Sequence, residues 1–159
     1  MHHTTSQSTE AVQKALRDNG LSPTIVHFSE STRTAQEAAN AIGCTVPQIV
    51  KSLIFVTTIS RAPILVLTSG SNRVNEKRIA EYVGEPIERA SADLVREATG
   101  FAIGGVAPIG HRMALRTFID ADLLNFSELW AAAGTPHTVF SITPQDLERI
   151  TGGEVVVVV

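Results

Sequence analysis

The sequence predicts a single α+β domain with a mixed, mainly antiparallel sheet surrounded by short helices. Three observations carry this expectation. Apolar segments fall in hairpin-like pairs, as at 52–58 and 63–68, instead of alternating strictly with helices as in a parallel doubly wound fold. Helical segments are short, each opened by a capping residue and closed by glycine. A chain of 159 residues, 43% hydrophobic and 18% charged, is long enough for one core and too apolar to stay disordered.

Taken in order, residues 1–8 are expected to form a flexible tail and residues 9–159 the domain. Thr9 is the expected cap of a first helix with Ala11, Val12, Ala15 and Leu16 on one face and Gly20 at its end. A short strand follows at 24–28, where His27 reads as half-buried. Thr34-Ala35-Gln36-Glu37 is a capping box opening a helix that stops at Gly43. Thr45-Val46-Pro47-Gln48 repeats the signal in a short helical turn. The strand at 52–58 is continuously apolar, hence buried on both faces, and pairs with 63–68. A helix carrying Val74, Ile79, Tyr82 and Val83 ends at Gly84, a short strand lies near Ile87, and Ser91 caps a helix over 92–98. A strand is expected at 113–119, a helix at 126–133 capped by Asn125, and a strand at 137–142. Pro144 opens the last helix. The valine-rich end, 154–159, must be paired or covered as a strand.

Composition narrows the function. The net charge of −3 excludes a broad basic face for coating nucleic acid. Yet between Lys51 and Arg116 there are nine Lys or Arg against six Asp or Glu, which permits contact with a few phosphates. No apolar run approaches the roughly 20 residues of a membrane helix, and residues 1–5 lack a secretory pattern. The one cysteine, Cys44, suits a reducing compartment, the cytoplasm, and reads as a small filler or a nucleophile. Phosphate-loop, Gly-x-Ser-x-Gly and His-Glu-x-x-His patterns are absent, and five scattered histidines make no zinc site. Neither metal nor cofactor is expected.

Two features carry chemistry. Lys51, in Ile49-Val50-Lys51-Ser52-Leu53-Ile54-Phe55, stands at the mouth of an apolar run; an ammonium there either reaches solvent or faces an anion. The loop Gly104-Gly105-Val106-Ala107-Pro108-Ile109-Gly110 can bring bare backbone against a ligand, its N–H groups holding an anion or oxyanion. Alone, such a loop is also a common tight connection.

These two segments, with Asn72 to Ala80 between them and Thr99 to Gly110 in full, resemble the YbaK/prolyl-tRNA-synthetase-associated editing domain family over about residues 10–153. The resemblance implies a partly barrel-like mixed sheet. It also implies hydrolysis, in trans, of the ester joining a wrong amino acid to the 3′ end of a tRNA. Lys51 then holds the 3′ end as a catalytic residue, with Gly105 beside it. Gly104, Val106, Ala107, Pro108 and Gly110 shape the aminoacyl pocket, and His111 and His137 are candidates for substrate contact. The implied partners are misacylated tRNA, through its acceptor end, and a synthetase supplying tRNA affinity. With no dedicated nucleophile, water attacks directly and selection is by size. The alternative is a non-catalytic module that binds a synthetase, a tRNA end or a nucleotide. Hydrolysis of a small ester or amide outside tRNA is a third reading.

Overall fold

A computed structural model describes residues 6–159 of the protein. Helix α1 (Gln7–Asp18) is capped by the Ser6 hydroxyl, which accepts from the Thr9 amide. The expected cap, Thr9, is instead buried in the helix, which therefore takes residues 6–8 from the expected tail; residues 1–5 lie outside the described residues. The inward face is Val12 and Leu16, both fully buried. Strand β1 (Val26–His27) leads to α2 (Ala35–Ile42), where Thr34 and Glu37 form the reciprocal capping box and Gly43 ends the helix in the left-handed region. A single 3-10 turn, Val46–Gln48, delivers the chain to β2 (Ile49–Thr57).

Strands β2 and β3 (Pro63–Ser69) form the expected antiparallel hairpin, in register from Val50 opposite Ser69 to Val56 opposite Pro63. Then follow α3 (Glu76–Val83), β4 (Ile87–Arg89) and α4 (Ala92–Thr99), the helices capped by Asn75 and Ser91. Strand β5 (Arg116–Asp120) begins three residues later than expected. A 3-10 segment, Ala121–Asn125, is capped by Asp120. Strand β6 (Leu129–Ala132), β7 (Thr138–Ile142), α5 (Pro144–Thr151) and β8 (Glu154–Val156) complete the chain.

The helix expected at 126–133 is not formed. Leu129, Ala131 and Ala133 are buried while Trp130 and Ala132 are only partly so, an alternation of period two. Pairing with both β2 and β7 outweighs the helical preference of leucine and alanine, a weak prior in the face of tertiary contacts.

The sheet runs β1-β7-β6-β2-β3-β5-β8, with β4 added to β2. Four pairings are antiparallel and three parallel. It is mixed and mainly antiparallel as expected, but it is open, not a closed barrel. Its two ends, β1 and β8, are two and three residues long, which limits the exposed edge. The main core joins α1, β2, β3 and β7 through residues such as Leu16, Ile54, Leu65 and Phe140; a second, around Phe55, Val66, Ile79 and Phe118, lies under α3. All three ion pairs among the described residues are solvent-exposed, each worth about 0–1 kcal/mol, so the fold rests on burial.

One irregularity positions the site. β2 is bordered by β3 along one side. On the other it pairs with β6 at Ile49 and Val50 and with β4 at Phe55 to Thr57. Between those contacts, Lys51 to Leu53 have a strand neighbour on one side only.

Candidate functional site

A cavity of about 480 Å³ opens at this fork, within the roughly 300–1,000 Å³ of small-molecule sites. Its walls come from β2, the ends of β4 and β6, the start of α2, and the 101–110 loop, and Lys51, Gly104 and Val106 all line it. The lysine and the glycine loop, 53 residues apart in sequence, thus meet at one space.

Lys51 lies inside β2, two residues beyond the strand's start, and not at its mouth as the apolar run implied. It stands opposite Thr68. Its Nζ donates to the carbonyl oxygen of Asn72, in the turn after β3, at 2.6 Å. That turn is fixed from beneath by Asp120, which is 1% exposed. Asp120 Oδ2 accepts from the Ser69 amide at 3.0 Å and from Asn72 Nδ2 at 2.9 Å, and Oδ1 accepts from the Asp122 amide at 2.9 Å. Partial burial pushes the Lys51 pKa down, the positive charge of Arg89 pushes it further, Asp120 opposes this, and Arg73 adds to the lowering. The hydroxyls of Ser52, beside Lys51, and Thr68, opposite it, are buried without a hydrogen-bond partner among the described residues, each at a cost of about 1–3 kcal/mol.

The loop presents less of itself than its glycines imply. Gly104 has φ +92°, and the Arg33 side chain crosses it so closely that a Cβ there would lie 2.7 Å from Arg33 Cγ. Gly105, expected beside Lys51, does not line the cavity. A Cβ on it would lie 2.8 Å from Thr135 Cα, so this glycine serves close packing of loop against turn. Ala107 and Pro108 are buried, and Gly110 packs on the backbone of α1 at Ala11. None of these three is in the lining.

Neither histidine reaches the cavity. His111 is tucked inside the loop, donating from Nε2 to the Ala107 carbonyl at 2.7 Å with its ring edge-on to Phe101. Burial lowers its pKa, the hydrogen bond to Ala107 opposing. His137 is exposed and its Nδ1 meets the Glu30 carbonyl at 3.0 Å, tying the 28–32 segment to the turn before β7. Each imidazole meets a main-chain carbonyl, His111 within its own loop and His137 across to the 28–32 segment. The cavity also contains Arg33, Arg89 and Trp130, which no motif flagged; Asp120 was detectable as a carboxylate ending an apolar strand.

The lining holds no Asp, Glu, His, Cys or Tyr. Thr32 and Thr34, its other hydroxyl groups besides Ser52, are engaged by the Pro136 carbonyl and the Glu37 amide. The site offers cations, backbone and an apolar wall, and no side-chain nucleophile with an adjacent base. Among the described residues no His/Cys/Asp/Glu group can hold a metal, and no helix is long and apolar enough to cross a membrane.

A family model for the aminoacyl-tRNA editing domain matches residues 29–150. The chain belongs to the aminoacyl-tRNA editing domain family. A crystal structure described as a candidate trans-editing enzyme for prolyl tRNA synthetase matches this editing domain with TM-score 0.91 and 45% identity, over 98% of each chain. An Enterococcus faecalis protein named as a candidate Cys-tRNA(Pro)/Cys-tRNA(Cys) deacylase, EbsC, is 23% identical over 128 residues, covering 80% of this chain and 77% of its own. The proline–tRNA ligase of Maridesulfovibrio salexigens is 31% identical over 106 residues, 66% of this chain but 18% of the ligase. The editing domain thus has relatives that are separate proteins and relatives that are segments of a synthetase.

Proposed function

We propose that this editing domain hydrolyses, in trans, the ester linking a wrongly attached amino acid to the 3′-terminal adenosine of a tRNA. The observation that carries the reading is the shared cavity: Lys51, Gly104 and Val106 face one space whose only charged side chains are cations. An RNA end supplies the anionic groups such a lining favours, and a small aminoacyl group fits an apolar recess. Lys51 is assigned to the terminal phosphate and the ester carbonyl oxygen, where its charge offsets the developing oxyanion.

Water attacks the ester carbon, the bond from that carbon to the ribose oxygen breaks, and the ribose oxygen leaves with a proton from the attacking water. The products are free amino acid and deacylated tRNA. Since the lining has no side-chain base, the proton is relayed by the neighbouring ribose hydroxyl, the substrate's amine or a backbone carbonyl. The reaction belongs in the cytoplasm, with a synthetase supplying further tRNA affinity.

The test is a deacylation panel of alanyl-, cysteinyl-, seryl- and threonyl-tRNA, mischarged and correctly charged. The expected result is hydrolysis of at least one mischarged species and its loss in Lys51→Ala. A folded wild type that hydrolyses none defeats the reading. The same missing base also suits a module that binds without turnover, which the panel would reveal as tRNA retention with intact ester.

A further inference from the structure

Arg33 and Arg89 come from unrelated parts of the chain, the segment before α2 and the end of β4, yet both line the cavity that contains Lys51. Neither guanidinium has a carboxylate partner among the described residues. Arg33 lies across Gly104 and makes no side-chain hydrogen bond or ion pair among the described residues. Arg89 sits over the Phe55 ring at 5.7 Å, while the neighbouring Glu88 is taken by Arg61 at 2.9 Å. The carboxylate that acts on Lys51, Asp120, is buried with both oxygens engaged by Ser69, Asn72 and Asp122.

Three cations around one space repel one another, and the arrangement is stabilised only when an anion enters. Gly104 adds a geometric reason: any Cβ there would push the Arg33 stem off the loop. Guanidinium groups grip phosphate with paired N–H donors and stack on bases, so arginine here suits a nucleic-acid strand better than a single point charge does.

We propose that Arg33 and Arg89 are phosphate-binding residues that, with Lys51, hold consecutive phosphodiesters of the single-stranded RNA 3′ end. This rests on the reading of the cavity as a tRNA-end site and extends it from one cation to three. Their role is in binding and positioning, with bond cleavage left to the Lys51 side.

The experiment measures Kd of an uncharged RNA minihelix ending in 3′-CCA across a salt series, for wild type, Arg33→Gln, Arg89→Gln, Arg33→Lys and Arg17→Gln. Arg17 is exposed on α1, outside the cavity, and serves as the charge-matched control. Each cavity glutamine variant is expected to weaken binding about 3- to 10-fold at low salt. Each should flatten the slope of log K against log salt by about 0.7, the value for one single-strand phosphate contact. Arg33→Lys should keep the slope, and Arg17→Gln should match wild type. On a hydrolysed substrate, KM should rise with kcat unchanged. Slopes equal to wild type, or to the Arg17→Gln control, overturn the proposal, as does a fall in kcat at constant KM. Wild type that binds the minihelix as described but hydrolyses no aminoacyl-tRNA would sink the deacylase reading and leave this one standing. Hydrolysis with unaltered slopes in the variants would do the reverse.

Discussion

The ammonium of Lys51 is held by a peptide oxygen, that of Asn72 at 2.6 Å, and not by a carboxylate. A carboxylate partner would neutralise the cation; a carbonyl orients it and leaves its charge for a ligand. Asp120 acts one step removed, fixing Asn72 through its side-chain amide at 2.9 Å.

Lys51→Ala is expected to lower kcat/KM for deacylation by about 10²–10³-fold, the loss typical of one oxyanion-stabilising group. Stability should change by less than about 1 kcal/mol, because the lowered pKa means that folding disfavours the protonated amine. Steady-state kinetics and urea unfolding of the same preparation check both. A variant that loses activity only by unfolding would remove the lysine from the site.

Asp120→Asn should move the alkaline limb of the activity profile to lower pH. Asp120 is the one group that raises the Lys51 pKa against burial, Arg89 and Arg73, so its removal lets the ammonium deprotonate sooner. Asp120→Ala strands the Ser69 and Asp122 amides and leaves the Asn72 side chain with Asp122 alone, at 2.7 Å, a destabilisation of roughly 2–4 kcal/mol. A pH–rate profile for the first variant and a denaturant midpoint for the second are the measurements.

Gly105→Ala and Gly104→Ala should each cost stability, for different reasons. At Gly105 the added carbon meets Thr135 backbone at 2.8 Å, so loop and turn must separate, at about 1–3 kcal/mol. At Gly104 the obstacle is the flexible Arg33 side chain, and the left-handed backbone adds about 1–2 kcal/mol. Gly104→Ala alone should also lower RNA affinity, through the displaced arginine. Thermal unfolding and minihelix binding separate the two.

His111 gives the fold an acid-sensitive point. Its folded pKa lies below the unfolded value of about 6.5. The neutral ring's contribution is therefore complete above that value and is lost as pH falls through the folded pKa. Unfolding free energy should decline as pH falls below about 6.5, with a single-site slope of at most ~1.4 kcal/mol per pH unit. His111→Gln, which keeps a donor for the Ala107 carbonyl, should flatten that decline. An unchanged slope would place the acid sensitivity elsewhere.

Much of the fold was legible because its punctuation is local. Thr34, Ser91 and Thr143 cap helices where their sequences place them, and Gly43, Gly84 and Gly100 end theirs in the left-handed region. Lys51 was legible for a different reason, being a charge set in an apolar run. The segment 126–133 was not, because four residues of Leu-Trp-Ala-Ala carry too little periodicity to reveal two strand partners. His111 and His137 drew attention by residue type, yet each is held by a main-chain carbonyl of its own surroundings. Arg33 and Arg89 drew none, since a solvated arginine and a ligand-binding one are spelled alike, and only the fold brings them to the same space.

The gap between β4 and β6 has a consequence for how this scaffold diversifies. The strand bearing Lys51 is anchored by β3 along one flank, while the recess is bounded by the short segments that meet its other flank. Exchanging Ala132, Val106 or Ile103 for larger or smaller neighbours alters what fits without shifting the ammonium. If the cavity takes an aminoacyl group as proposed above, selectivity and chemistry reside on separately adjustable parts, and new acyl groups are admitted or refused by trimming the rim alone.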